Sequence, residues 1–285
     1  MISPPNPRFL HAARRAVVAA LAIVVASPAA VVHADAGARP QRIVSLNLCS
    51  DQLLLALADR SQIAGLTHNA RDPSLSAAAA EVGNLPVLKQ SAEQILVIRP
   101  DLVIGMPTKR SAVMAALGGE GYRTLDLQSA RTFPQIAEQI GQVADAIGQP
   151  QRGAALVRRM EAELARLPKP GRGQVAAYYQ RRGFLTGTGT LIDDLMQRVG
   201  LVNLAARLGK PPLSQLSIEE LVAAKPDFLI VDSGTAEVED QGTEMLHHPA
   251  LAGIPRLSLP QAWTVCSGPA YVDAARLLVA ELQRY

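Results

Sequence analysis

Residues 91–104 read SAEQILVIRPDLVI, and residues 217–230 read SIEELVAAKPDFLI. The second stretch repeats the first at an offset of 126 residues: Ser91 matches Ser217, Glu93 matches Glu219, Pro100 matches Pro226 and Asp101 matches Asp227. Each copy spells the same local structure. A serine at a helix N-cap, with Gln94 or Glu220 three residues on, is the pattern of a capping box. The apolar residues that follow suit a short helix laid on a core. Arg99 or Lys225 and then proline stop that helix, because proline lacks the amide hydrogen and its ring clashes with the preceding turn. An apolar strand comes next, at 102–104 in the first copy and at 228–231 in the second. Two copies of one helix–strand unit predict two similar lobes.

Working outward, each copy lies within strand–helix alternation. Residues 42–46 (RIVSL) predict a strand, 47–50 a turn and 51–57 a helix. Further strands are expected at 63–66 and 124–127, and then at 174–179 and 256–259. A helix capped by Thr190 and Asp193 should run to Val199, and a C-terminal helix should start near Ala270. Such alternation predicts an α/β protein with mostly parallel sheets covered by helices. Between the lobes, residues 133–147 are amphipathic, and Gly148 and Pro150 interrupt the pattern. Residues 151–167 resume it, with Leu156, Met160 and Leu164 on one side. The expected organisation is a leader at 1–34, an N-terminal α/β lobe at 35–130, a helical connector at 131–168 and a C-terminal α/β lobe at 169–285. The connector is expected to act as one long rigid helix, with a ligand cleft between the lobes.

Composition sets the limits. The chain has 285 residues, 48% hydrophobic and 19% charged, which is too apolar for a disordered protein. Two cysteines rule out a disulfide scaffold and a four-cysteine zinc site. Three of the 28 basic residues (Arg8, Arg14, Arg15) and none of the 25 acidic ones fall in residues 1–34, so the rest of the chain is balanced. Bulk attraction to nucleic acid or to an anionic membrane is therefore not expected. Within 1–34, basic residues precede an apolar run at 16–26 and a small-residue end, Val32-His33-Ala34. That layout predicts a cleaved secretory signal with cleavage near Ala34. No cysteine lies near that site, so a lipid anchor is not expected. No later segment is apolar for long enough to span a bilayer. The expectation is a soluble periplasmic monomer that is not membrane-embedded.

The two repeat copies, the opening R-I-V-S-L strand, the connector and a closing loop with Trp263 together resemble the periplasmic binding proteins of iron-siderophore, haem and vitamin B12 ABC importers. The resemblance runs from about Arg42 to the C-terminus. It implies a ligand held between the lobes, no enzymatic activity and no intrinsic cofactor. The implied ligand is a small-molecule metal complex: a ferric chelate, a corrinoid such as cobalamin, or haem. It also implies an ABC permease as partner, docked through one surface glutamate per lobe; the matching positions are Glu93 and Glu219. Each is also a first-turn acid, which the helix dipole stabilises by about 0.3–1 kcal/mol without any partner.

Ligands of open α/β sheets lie beyond the carboxyl ends of the strands. In lobe one this points to Asn47 and Cys49, then to His68 and Arg71, then to Lys109 and Arg110. Ser50 or Asp51 equally suits the cap of the next helix. In lobe two it points to Tyr178, Tyr179 and Arg181. Tyrosine stacks on flat ligands or coordinates ferric iron, and arginine grips carboxylates with two hydrogen bonds. Alternation along a strand turns one of the two tyrosines away from the other. By family position Trp263 and Cys266 lie near the cleft. The resemblance also puts the two cysteines in facing loops of opposite lobes, and three readings stand: a disulfide, two thiolates on a soft metal, or unrelated thiols.

Two other functions compete. A free-metal binder usually gathers several histidines, and only His68, His247 and His248 lie beyond the leader. An exported hydrolase would show a G-x-S-x-G elbow or an H-E-x-x-H pair, and neither motif occurs.

Overall fold

The computed structural model describes residues 39–89, 91–108, 111–117 and 121–285. The expected leader, its cleavage near Ala34, Lys109 and Arg110 lie outside these residues. Sheet one orders its strands β3-β2-β1-β4-β5, all parallel: β1 (Ile43–Ser45), β2 (Ile63–Thr67), β3 (Val87–Leu88), β4 (Leu102–Gly105) and β5 (Thr124–Asp126). Sheet two comprises β6 (Val175–Gln180), β7 (Phe184–Thr186), β8 (Val202–Asn203), β9 (Leu213–Gln215), β10 (Phe228–Asp232) and β11 (Arg256–Leu259). Its order is β11-β10-β6-β7-β9, with β8 also on β6; β7 pairs antiparallel with both β6 and β9, and the other pairs are parallel. The helices are α1 (Leu48–Leu57), α2 (Ala92–Ile98), α3 (Ala112–Ala116), α4 (Phe133–Ala146), α5 (Pro150–Ala165), α6 (Leu191–Arg198), α7 (Leu204–Arg207), α8 (Ile218–Ala224), α9 (Gln241–Glu244) and α10 (Tyr271–Leu282). Among the described residues no helix is long and apolar enough to cross a membrane.

The repeat acts as a latch in both lobes. Asp101, just before β4, accepts hydrogen bonds at 2.8 Å from the backbone N–H groups of Gln41 and Arg42, at the start of β1. Asp227, just before β10, accepts from the backbone N–H of Val175, at the start of β6, at 2.7 Å. Each aspartate thus ties the repeat strand to the first strand of its own sheet. Arg99 and Lys225 end α2 and α8 in the left-handed region, both at φ 47°. Ser91 and Ser217 cap the two helices as their sequences predict. Only the second copy closes a capping box: Glu220 returns to the Ser217 N–H at 3.1 Å, whereas Gln94 Oε1 accepts from Lys89 N–H instead, at 2.8 Å.

Strand alternation sorts side chains into layers. In β6, Ala176 and Tyr178 face one large core, while Val175, Ala177 and Tyr179 face a separate cluster on the other side. In β10, Phe228 and Ile230 join the large core, and Leu229 and Val231 join the second cluster. The large core is continuous across both lobes. It unites Ile43, Leu54 and Ile104 of lobe one, Ile140 and Met160 between them, and Ile230, Leu257 and Leu278 of lobe two. Each fully buried leucine or isoleucine contributes about 1.5–3 kcal/mol, so this shared core fixes how the lobes sit.

The connector is two helices, α4 and α5, broken where Gly148 and Pro150 interrupt the sequence pattern, and not one long rigid helix. Gly148, at φ 74°, turns the chain, and α5 folds back along α4. Gly153 allows the close approach, since a Cβ there would lie 2.4 Å from the Ala144 Cβ. Helix α4 packs on α1 of lobe one, and α5 reaches α10 of lobe two, where Arg276 pairs with Glu163. At the start of α4, Asp194 of α6 accepts from both the Phe133 N–H and the Tyr271 hydroxyl. The Arg198 guanidinium lies over both aromatic rings.

Candidate ligand-binding site

The large cavity, about 620 Å³, opens at the carboxyl end of the parallel strands of sheet two. That is within the ~300–1,000 Å³ typical of small-molecule sites. Its wall combines Tyr178 and Gln180 from the end of β6 with Arg181 and Arg182 from the following turn. Phe184 and Thr186 of β7, Leu191 and Ile192 of α6, and Asp232 of β10 extend it. Gln261, Thr264 and Val265 of the closing loop complete it. Two guanidinium groups thus stand beside an aromatic and aliphatic surface. Among the described residues, no lobe-one side chain lines this cavity.

Local chemistry explains how the wall is held. Asp232 Oδ1 accepts from the N–H of Gly234 at 3.2 Å and of Gln261 at 2.9 Å, so the end of β10 anchors the start of the closing loop. Arg181 pairs with Asp240, which α9 carries as its N-cap. Arg182 takes the left-handed region at φ 60°. Gln180 donates to Thr186 Oγ1 at 2.8 Å across the β6–β7 hairpin. Burial pushes the Tyr178 phenol above its ordinary range, opposed by a hydrogen bond with Thr264.

Cys49, in the first turn of α1, and Cys266, in the closing loop, form a disulfide with Cα atoms 5.1 Å apart. The disulfide reading therefore holds, and the two thiolate or unrelated-thiol readings fall. The bond spans 217 residues and joins lobe one to lobe two. Beside it, the Ser267 hydroxyl donates to the Ala130 carbonyl, a second link between the same lobes.

Several expected ligand residues are bonded within the fold or lie away from the large cavity. Asn47 is the N-cap of α1: its Oδ1 accepts from Ser50 N–H at 2.9 Å, and its amide donates to the Met106 carbonyl at 3.2 Å. Neither Ser50 nor Asp51 is the cap. Asp51 is buried and accepts from the backbone N–H of Thr67 at 3.1 Å and from the Thr67 hydroxyl. Burial raises its carboxyl above the ordinary aspartate value, and hydrogen bonds from Ser45 and Thr67 oppose the rise. Arg71 donates to the carbonyls of Gly83 and Leu85, both at 3.1 Å, and so braces its own loop. Tyr179 is fully buried in the second cluster and donates to the Leu216 carbonyl at 2.8 Å. Burial, then Glu219 and Glu220, push its phenol up to about 12. Trp263 lines a different groove of about 290 Å³, with Leu55 of α1 and Leu156 of α5, and not the large cavity. His68 is exposed on the turn after β2.

Tyr178 and Arg181, by contrast, line the large cavity. Glu93 and Glu219 are both exposed in the first turns of their helices. The backbone N–H of Glu219 and the Ser217 side chain hold the Glu219 carboxyl below its ordinary value. Among the described residues no three His, Cys, Asp or Glu side chains converge to hold a metal ion. Phe184, Thr186 and Asp232 escaped the sequence reading. Asp232 alone had a signal, since it ends the second repeat strand, where the carboxyl-end rule points. Strand β7 is three residues long and carried none.

Comparison with known proteins matches this architecture. A cobalamin-binding protein of Halobacterium salinarum is 24% identical over 198 residues, 67% of this chain and 53% of that protein. An ABC transporter substrate-binding lipoprotein of Bacillus subtilis is 23% identical over 208 residues, 68% of this chain and 64% of that one. The chain thus spans between half and two thirds of the length of these curated relatives. The solved apo structure of a periplasmic haem-binding protein from Roseiflexus sp. RS-1 superposes with a TM-score of 0.66 at 26% identity. That match covers 85% of this chain and 99% of the other. The description "periplasmic binding protein" matches residues 43–256, most of both lobes. The chain belongs to the periplasmic binding protein family.

Proposed function

We propose that this chain is an exported binding protein that captures a metal chelate or corrinoid and delivers it to an ABC import permease. The carrying observation is the lobe-two cavity, where Arg181 and Arg182 stand beside Tyr178 and Phe184. Guanidinium groups match the carboxylates or phosphates that such complexes carry, and the apolar wall matches a flat ring or ligand skeleton. Ferric siderophore, cobalamin and haem all have that mixed character. Export rests on the basic, apolar and small-residue succession of residues 1–34. Docking rests on Glu93 and Glu219, exposed at matching positions of the repeat. The protein acts as a monomer in the periplasm and carries out no reaction on its cargo.

The test is a calorimetric titration against cyanocobalamin, haemin, a ferric hydroxamate, a ferric catecholate and Zn²⁺. Saturable binding of one complex, weakened by Arg181→Ala and Arg182→Ala together, supports the reading. Silence toward all four complexes with binding of Zn²⁺ alone overturns it in favour of a free-metal binder. For the partner, Glu93→Ala with Glu219→Ala should abolish import while leaving binding intact.

A further inference from the structure

We infer that the Cys49–Cys266 disulfide is a positioning device for the ligand cavity, holding the closing loop against lobe one so that Thr264 and Val265 stay in the cavity wall. The inference rests on the proposed capture of a ligand in that cavity. Three observations carry it. The loop is anchored to its own lobe at its start, where Gln261 N–H reaches Asp232, and by the hydrogen bond between Thr264 and Tyr178. Its far end is tied to lobe one by the disulfide and by the Ser267–Ala130 bond. Thr264 and Val265, both in the wall, lie between Gln261 and the bridged Cys266, and Val265 keeps 43% of its surface exposed.

The bridge is not needed to hold the lobes together. The continuous core, α5 and the Asp194 contacts do that without it. Opening the disulfide therefore acts locally. The loop keeps one hydroxyl–carbonyl bond to lobe one, and its wall residues gain freedom that ligand binding must then remove. Preorganisation of this kind acts mainly by slowing dissociation.

The test compares the oxidised protein, the protein reduced by dithiothreitol, and the Cys49→Ser/Cys266→Ser variant. In the reduction, dithiothreitol gives two electrons and two protons to the bridge and closes to its own cyclic disulfide. Amide hydrogen exchange and calorimetry with the four metal complexes are read at a temperature where all three forms are folded. The expected result is a loss of protection at 263–268 of about tenfold, with β1, β4, β6 and β10 unchanged. The Kd of whichever complex the oxidised protein binds should rise about tenfold through faster dissociation, and reoxidation should restore both. Unchanged exchange at 263–268 overturns the inference. So does a loosened loop with an unchanged Kd, or a uniform loss of protection over both sheets. If the oxidised protein binds none of the complexes, the capture reading fails, and with it the link from loop to ligand, while the exchange arm still reports whether the bridge fixes the loop.

Discussion

Asp101 and Asp227 hold matching places in the two lobes, each closing a carboxylate onto the first strand of its own sheet. At the carboxyl ends of the same sheets the likeness stops. Lobe one spends its loop residues on its own architecture: Asn47 caps α1, Asp51 holds Thr67, and Arg71 braces two carbonyls. Lobe two leaves its strand ends open, and the cavity forms there, walled by Tyr178, Arg181 and Asp232. A repeated sequence unit therefore repeats the scaffold, because latch, cap and strand depend on local pattern. It does not repeat the site, because the site is made of the loops between the units.

The latch comparison is open to direct attack. Asp101→Ala removes the acceptor of two backbone N–H bonds and should cost about 2–3 kcal/mol, read from the urea midpoint at unchanged slope. Asp227→Ala removes the acceptor of one and should cost about 1.5–2 kcal/mol. Equal costs would mean that the second N–H bond to Asp101 adds nothing, and no cost at either position would mean that the aspartates are not latches. The division of labour predicts a different signature for Arg181→Ala. Its ion pair with Asp240 is half exposed, so stability should change by less than about 1 kcal/mol. Affinity for an anionic metal complex should fall about tenfold, and affinity for a neutral one far less.

Adjacent tyrosines sharpen the same contrast within one strand. Tyr179→Phe strands the buried Leu216 carbonyl and should lower stability by about 1 kcal/mol with affinity unchanged. Tyr178→Phe should do the reverse. The smallest effect is one of pH, in lobe one. The Asp51 carboxyl is raised in the folded protein, so its contribution is fully present below the unfolded value near 3.8 and is lost as pH rises through the higher folded value. Asp51→Asn should therefore show a flatter dependence of Tm on pH across the acid range than the unaltered protein. Parallel curves would mean that the hydrogen bonds from Ser45 and Thr67 cancel the effect of burial.

Much of the scaffold was legible because its signals are local. Ser91, Ser217 and Thr190 cap helices whose first turns they begin, and Pro100 and Pro226 stop helices that they follow, so a few residues carry each decision. The tyrosine pair was half legible: period-two alternation separates Tyr178 from Tyr179, but only the packing of β10 against β6 says which one meets the cavity. The fold-back of α5 on α4 was not legible, since Gly148 and Gly153 mark a turn and a close approach without naming the partner. No local pattern names the groove that Trp263 shares with Leu55 of α1 and Leu156 of α5, residues more than a hundred positions earlier in the chain.

By itself, then, the sequence determined two α/β lobes, their caps and stops, and the matched acids Glu93 and Glu219, because short-range sterics and hydrogen bonding decide those features. Only the tertiary structure decided that Cys49 and Cys266 are joined, that the cavity is lined by lobe two, and which backbone groups Asn47 and Arg71 bond. Each of these depends on which distant backbone groups come within about 3 Å, or on two Cα atoms meeting within the roughly 4.4–6.8 Å that a disulfide needs, and one-dimensional spacing does not encode such distances.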